Sequence, residues 1–429
     1  AKISDRSDSD ECFGFLKTCL DNCLSTHAEC ARPTPLSSMP RRVLKIDVTQ
    51  ELADGSNIAL YEPPSDFHAD YVALSHCWGK HQPLRSLTSN HQSLIQDGIR
   101  LTQLSPVFRD AVRVCYRMGI EHLWIDSLCI IQDSKEDWER ESARMCDYYE
   151  NALFTISAAS SPDGSVPFLR RRPERWKQQA FPFHHDDKNK TTTVMARRRP
   201  RGPSRGSSTV QTQVEDDEAL LTRAWVFQEG QLSKRVVEYT ASALIWACHS
   251  KKELAEGGVK RGAYSHLCNQ ELSNLRADKV LETWQALVAQ FSARELTHAT
   301  DCLPALSGLA QKFHSQMGWR YMAGLWEEHL AVGLCWEVER SVARTETALT
   351  TDINSVKYIA PTWSWASAGQ RIAFCGGWSG SLRYENLVEV EDVACQVDGL
   401  NPFGRISNGS LTLKGTAFTI SLSQHSTTR

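Results

Sequence analysis

The chain has 429 residues, of which 41% are hydrophobic and 23% charged; these are globular proportions, which exclude wholesale disorder and fibrous repeats, and the length suits two or three cores. A formal net charge of −3 excludes the strongly basic field of a dedicated nucleic-acid binder, and no run approaches the roughly 18 consecutive apolar residues of a membrane span. The opening AKISDRSDSDE lacks an apolar signal segment, so a cytoplasmic protein is expected, with its 14 cysteines acting as small buried hydrophobes, as around Cys115, Cys129, Cys248 and Cys335.

Residues 12–30 read as a helix, with Phe15, Leu16, Leu20 and Leu24 at three- to four-residue spacing. The same stretch carries Cys19, Cys23, His27 and Cys30, with Cys12 two turns earlier. Such spacing puts them all on one helical face, whereas a zinc tetrahedron takes ligands from two elements. The preferred reading is a buried packing face with no metal; zinc is the alternative.

After the Pro-rich connector ARPTPLSSMPRR, short runs alternate in type as parallel βα units do. Strands are expected at 71–76, 122–131, 152–158 and 235–246, and helices at 105–118, 135–149 and 225–232. Residues 162–217 interrupt the pattern with RRRPERW, HHDDKNKTTT and RRRPRGPSRGSS, a long mobile excursion by composition. Its arginines suit a nuclear-import or polyanion patch, or only solvate a loop. Three amphipathic helices are expected in TWQALVAQFSARELT, DCLPALSGLAQKFHSQM and RYMAGLWEEHLAVGLCW. In PTWSWAS, Trp363 and Trp365 are expected on one face of a strand and Ser364 on the other, the tryptophans anchoring the C-terminal part to the preceding domain.

Three segments concentrate polar residues at the ends of apolar strands. In YVALSHCWGK the strand ends in Ser75, His76, Trp78 and Gly79, and in parallel α/β sheets the ligand crevice lies at the carboxyl ends of the strands. In LWIDSLCIIQD, Asp126 interrupts an apolar run, and burying an unpaired carboxylate costs several kcal/mol, so it needs partners or a task. Ser127, Gln132 and Asp133 add polar groups at that edge. In LLTRAWVFQEGQLSKRVV, Trp225 and Glu229 are four apart on a helix, with Gln228 beside the carboxylate and Arg223 just before. A Trp, a carboxylate and a guanidinium together suit a nucleotide, by stacking, hydroxyl binding and phosphate binding. The plainer reading leaves Glu229 paired with Arg223 or Arg235, Asp126 as a turn cap and the tryptophans in the core. Cys77 and Cys129 read as core rather than nucleophiles, with no thiolate-lowering neighbour in sequence.

The order and spacing of YVALSHCWGK, HLWIDSLCIIQDSKEDWERESARMCDYYENA and LLTRAWVFQEGQLSKRVV resemble the three defining blocks of the fungal HET (heterokaryon incompatibility) domain. The early Cys/His helix and the pieces DCLPALSGLA, YMAGLW and APTWSWAS resemble the flanks of many HET proteins. No GxxxxGK[ST] loop or internal repeat points to the large receptor-type versions. HET domains are similar in fold to Toll/interleukin-receptor (TIR) domains. The resemblance thus implies α/β architecture, a TIR/flavodoxin-like parallel sheet flanked by helices over 46–255 with an insertion at 162–217, preceded by an N-terminal helical segment (1–45) and followed by an α+β accessory region (256–429).

In function it implies fungal non-self recognition and programmed cell death, through self-association or another incompatibility protein. Catalytic TIR domains carry a Trp followed four residues later by a Glu that cleaves NAD, an order that Trp225 and Glu229 repeat, although about 55 residues intervene here between the third strand and that helix. On this carry-over Glu229 and His76 are catalytic, while Ser75, Trp78, Gly79, Asp126, Ser127, Arg223, Trp225 and Gln228 bind substrate. NAD is then a substrate and no cofactor is implied. The alternatives are a non-catalytic signalling or assembly module, and a HET-like fold reused for biosynthesis.

Overall fold

Runs with an apolar middle, such as Val72–Leu74 and Val236–Val237, belong at the centre of a sheet covered on both faces, and that is where the structure puts them. It is a computed structural model describing residues 4–31, 39–79, 84–184, 191–197, 219–255, 259–260, 272, 274–339, 358–374 and 387–416. Up to residue 260 the described strands are β1 (Val43–Lys45), β2 (Asn57–Tyr61), β3 (Val72–Ser75), β4 (Ile99–Arg100), β5 (His122–Trp124), β6 (Phe154–Ser157), β7 (Gln179–His184), β8 (Thr191–Ala196), β9 (Arg235–Tyr239), β10 (Leu244–Cys248), β11 (Lys252–Leu254) and β12 (Val259–Lys260). All but β7 and β8 join one sheet, in the order β12-β11-β10-β9-β6-β3-β5-β1-β2-β4.

The four central strands β5, β3, β6 and β9 are parallel, with Ala73 opposite Trp124, Ser75 opposite Ser157, and Ser157 opposite Glu238. Every residue of these four strands is buried. By chain order they run 2-1-3-4, so the connections reverse direction between β3 and β6. Antiparallel strands extend the sheet at both edges, β1 pairing with β5 and β10 with β9.

Up to Met317 the described α-helices are α1 (Asp10–Thr26), α2 (His91–Gln96), α3 (Pro106–Met118), α4 (Asp126–Cys129), α5 (Lys135–Ser142), α6 (Met145–Asn151), α7 (Ala224–Leu232), α8 (Ala277–Ser292) and α9 (Ser307–Met317). Local chemistry sets the limits of α3. The Ser105 hydroxyl accepts the Phe108 N–H, Pro106 opens the first turn, and Gly119 ends the helix at φ +72°. Its buried face comprises Val107, Phe108, Ala111, Val112, Val114 and Cys115, and burial of each large apolar side chain is worth about 1.5–3 kcal/mol. No helix among the described residues is long and apolar enough to cross a membrane.

Several expected boundaries move. The 122–131 strand stops at Trp124 and Asp126 opens α4; the 135–149 helix divides into α5 and α6; the 235–246 strand folds into the hairpin β9–β10. That hairpin turns because the Thr240 hydroxyl bonds both the N–H and the carbonyl of Ala243. The interruption is packed in its first part, where Phe168, Leu169 and Trp176 are buried and Ser7 bonds the Phe168 carbonyl, and β7 pairs with β8. Its stretches 185–190 and 198–217 lie outside the described residues.

In the C-terminal part, Val280, Trp284, Leu287, Val288 and Phe291 form the buried face of α8. RYMAGLWEEHLAVGLCW is not one helix. Ala323 and Gly324 take left-handed φ of 48° and 96° and reverse the chain between Tyr321–Met322 and Leu325–Trp326. The PTWSWAS segment is a turn rather than a strand, because the Ser364 hydroxyl caps the single helical turn Trp365–Ser367. Trp365 and Trp284 both donate to the Gly324 carbonyl, at 2.9 and 3.0 Å. The tryptophan therefore anchors this part to itself.

Candidate functional site

Polar side chains collect at the carboxyl ends of the parallel strands. Beyond β3 come Ser75, His76 and Trp78; beyond β5, Asp126 and Ser127 open α4; α7 adds Glu229, preceded by Arg223. The His76 Nδ1 lies 3.7 Å from Asp126 Oδ1. The other oxygen, Oδ2, accepts the Trp78 indole N–H at 2.9 Å, and Oδ1 also accepts the Ser127 N–H at 2.6 Å. Arg223 Nη1 donates to the His76 carbonyl at 3.0 Å.

Buried polar groups are almost always hydrogen-bonded, so exceptions need a cause. Here Ser75 Oγ, His76 Nε2, Ser127 Oγ and Glu229 Oε2 are all buried without a hydrogen-bond partner among the described residues. Each unsatisfied group costs about 1–3 kcal/mol, so four in one cluster are a large expense unless something binds there. A polar ligand is the natural complement.

Glu229 is 7% exposed and makes no salt bridge among the described residues, neither with Arg223 nor with Arg235. Burial raises its carboxyl to about 7, and the nearby Asp126 charge pushes the same way, against Ser75, Arg223 and Tyr149. The Ser75 hydroxyl, close to the carboxylate though outside hydrogen-bond geometry, is the foremost of these opposing groups. His76 is held below the usual histidine range, first by burial and then by Arg223, against the pull of Asp126. Its ring packs edge-on against Phe108, 5.0 Å between centroids. A neutral imidazole with Nδ1 turned to Asp126 leaves Nε2 as a proton acceptor. Burial raises the Cys77 thiol and pushes Cys129 up to about 12, so both behave as core cysteines.

Five of the expected site residues, Ser75, His76, Asp126, Arg223 and Glu229, thus come together, with Trp78 and Ser127 beside them. Three do not. The Trp225 indole is turned to Asp301, 3.5 Å away, and Gln228 Oε1 accepts the Gly308 N–H at 2.7 Å, so both face the C-terminal part. Gly79 has a structural reason: its φ is +63°, and a Cβ there would lie 2.2 Å from the Asp163 side chain. Gln132 bonds the backbone of Asp126 and Ile130, and Asp133 that of Thr88. Tyr149 on α6 was missed by sequence reasoning; it is fully buried beside Glu229 and Asp126, whose charges, after burial itself, raise its hydroxyl well above 10. Its only sequence signal is its place in the second block. Ser161 also has a buried hydroxyl with no partner among the described residues, and extending the strand-end rule to β6 would have found it.

Metal-ligating residues gather elsewhere. Cys23, His27, Cys30 and Cys248 offer ligand atoms that all lie within 4.8 Å of one another. Cys248 pairs with Arg235, the first residue of β9, so this cluster sits at the amino ends of the parallel strands, opposite the Glu229 site.

Compared with known proteins, residues 71–229 match the family model described as Heterokaryon incompatibility protein (HET). The match begins at the residue before β3 and ends at Glu229. No curated protein and no solved structure matches the chain.

Proposed function

The chain is a HET (heterokaryon incompatibility) domain protein, and on that premise we propose that it acts in non-self recognition and cell death by cleaving the N-glycosidic bond of NAD at the Glu229 site. The observation that carries this is the set of four buried polar atoms without partners among the described residues at the strand ends, one of them on the Glu229 carboxylate itself. The 2-1-3-4 order of the parallel strands supports a TIR/flavodoxin-like arrangement, in which ligands lie where the strand order reverses, here between β3 and β6.

In this mechanism the ionised Glu229 binds the hydroxyls of the nicotinamide ribose and stabilises the positive charge that develops at C1′. As the C1′–N bond breaks, its electron pair stays on the nicotinamide nitrogen and quenches the pyridinium charge. Water attacks C1′ and passes its proton to His76 Nε2, which Asp126 orients. Arg223 offers charge to a phosphate. With Trp225 turned to Asp301, stacking on a ring falls to Trp78. A ligand reaches so buried a carboxylate only by displacing its cover, so that movement gates the reaction.

The test is nicotinamide release from NAD by the purified chain, followed by chromatography. Wild-type protein is expected to release nicotinamide, and Glu229→Gln to lower the rate at least about 100-fold. Wild-type protein that releases none, or a Glu229→Gln rate equal to wild type, would overturn the enzymatic reading in favour of a non-catalytic signalling module.

A further inference from the structure

The α1 helix does not carry its Cys/His series on one face to the end. It stops at Thr26, His27 takes extended φ and ψ of −101° and 99°, and Ala28–Cys30 makes a separate tight turn. This break folds Cys30 back beside Cys23 and His27, and β10 supplies Cys248 from a distant part of the sequence. Cys12 and Cys19 remain in the packing face expected of them. Two elements therefore contribute ligands, as a tetrahedral site requires.

We propose that Cys23, His27, Cys30 and Cys248 bind one zinc ion, which fastens α1 to the β9–β10 hairpin. Zn–S bonds of about 2.3 Å and Zn–N bonds of about 2.0 Å set tetrahedral ligand atoms roughly 3.5–3.8 Å apart. The Cys248 Sγ to His27 Nδ1 distance is 3.4 Å, and all ligand atoms lie within 4.8 Å of each other. Three thiolates and an imidazole are a soft donor set that selects zinc over magnesium or calcium. All four positions are filled by protein, which makes the site structural rather than catalytic.

Charge gives an independent argument. Arg235 is 1% exposed, and among the described residues it makes no salt bridge with a carboxylate. Its guanidinium instead donates to Cys23 Sγ at 3.2 Å, to the Leu153 carbonyl at 3.1 Å and to the Cys30 carbonyl. An uncompensated buried charge is costly. Zinc binding displaces the three thiol protons, and Zn²⁺ with three thiolates and a neutral imidazole carries one negative charge, which the guanidinium balances. Ser250 Oγ lies 3.8 Å from Cys30 Sγ and donates its proton to Glu29 Oε2 at 2.8 Å.

Metal analysis of the full chain, purified under reducing conditions without chelator, tests this. The expected result is one zinc per chain in the wild type and in Cys19→Ser, and none in Cys248→Ser or His27→Ala. Because those two variants can fail to fold, cobalt(II) exchange into the wild type is the second measurement. Ligand-field bands of tetrahedral cobalt with a thiolate charge-transfer band support the site. Folded wild-type protein with no zinc and no such cobalt spectrum overturns it, as does a disulfide among Cys23, Cys30 and Cys248 in the reduced preparation.

Discussion

Glu229 holds its proton more tightly in the folded chain than in the unfolded one. Its carboxyl is raised from 4.5 to about 7, chiefly by burial, so the stability linked to this group is fully present below about pH 4.5 and is lost as pH rises through about 7. The displacement is worth on the order of 3 kcal/mol. Glu229→Gln stays neutral throughout and keeps the shape. It is expected to melt several degrees above wild type at pH 8 and close to wild type at pH 5, by thermal scans. Equal Tm differences at both pH values would contradict a carboxylate that ionises while buried. A group that destabilises its own fold at neutral pH is what a functional carboxylate looks like. This much was partly legible in the sequence, because Glu229 stood in an apolar helix. Its neighbour Gln228 stood in the same helix and serves a helix start instead, and only the packing of α9 distinguishes them.

At the scale of elements, Arg42 ties the connector before β1 to α5. It is buried with Asp137 and Glu141, bonds the Cys129 carbonyl, and pairs with Asp137, whose carboxylate also accepts the Ile131 N–H at 2.9 Å. Asp137→Ala would leave the guanidinium buried without its main partner and is expected to cost about 3–5 kcal/mol in urea unfolding; a loss below about 1 kcal/mol would contradict the pairing. Neither residue stood out in the sequence, since RR and KEDWERES read as ordinary polar runs. The central strands were legible because both faces are buried and each has an apolar stretch, as in Val72–Leu74 and Val236–Val237, although β9 also buries Arg235 and Glu238. The short outer strands β1, β4 and β11 were not, because two or three residues carry no period. The segment 320–336 has helical spacing, yet the left-handed pair Ala323 and Gly324 turns it into a hairpin, with Trp326 packed on Trp284 at 5.1 Å. The Cys/His series misled for a related reason: its spacing is helical, but His27 ends the helix.

Across the whole molecule, α7 is held between the sheet and the C-terminal part. The Ala224 N–H donates to the Glu295 carbonyl at 2.9 Å, the Glu295 N–H to the Thr222 carbonyl at 2.7 Å, Trp225 reaches Asp301, and Gln228 reaches Gly308. Sequence reasoning gave this contact to Trp363 and Trp365, but Trp365 packs on Phe291 within the C-terminal part itself. The bonds that fix the Glu229 helix from outside its own segment thus come from residues 295–308 of the C-terminal part, while unpartnered polar atoms gather around Glu229 at the strand ends. The most direct test is calorimetric titration with ADP-ribose, which keeps the hydroxyls and phosphates of NAD and has no nicotinamide bond to break. Saturable binding of one ligand per chain is expected. In the Ser75→Ala, Ser127→Ala double variant it should weaken at least about tenfold while the Tm of the free chain equals or exceeds that of wild type, because these buried hydroxyls have no hydrogen-bond partner among the described residues. No binding by the wild-type chain, or equal binding by the double variant, would contradict a ligand site at the strand ends.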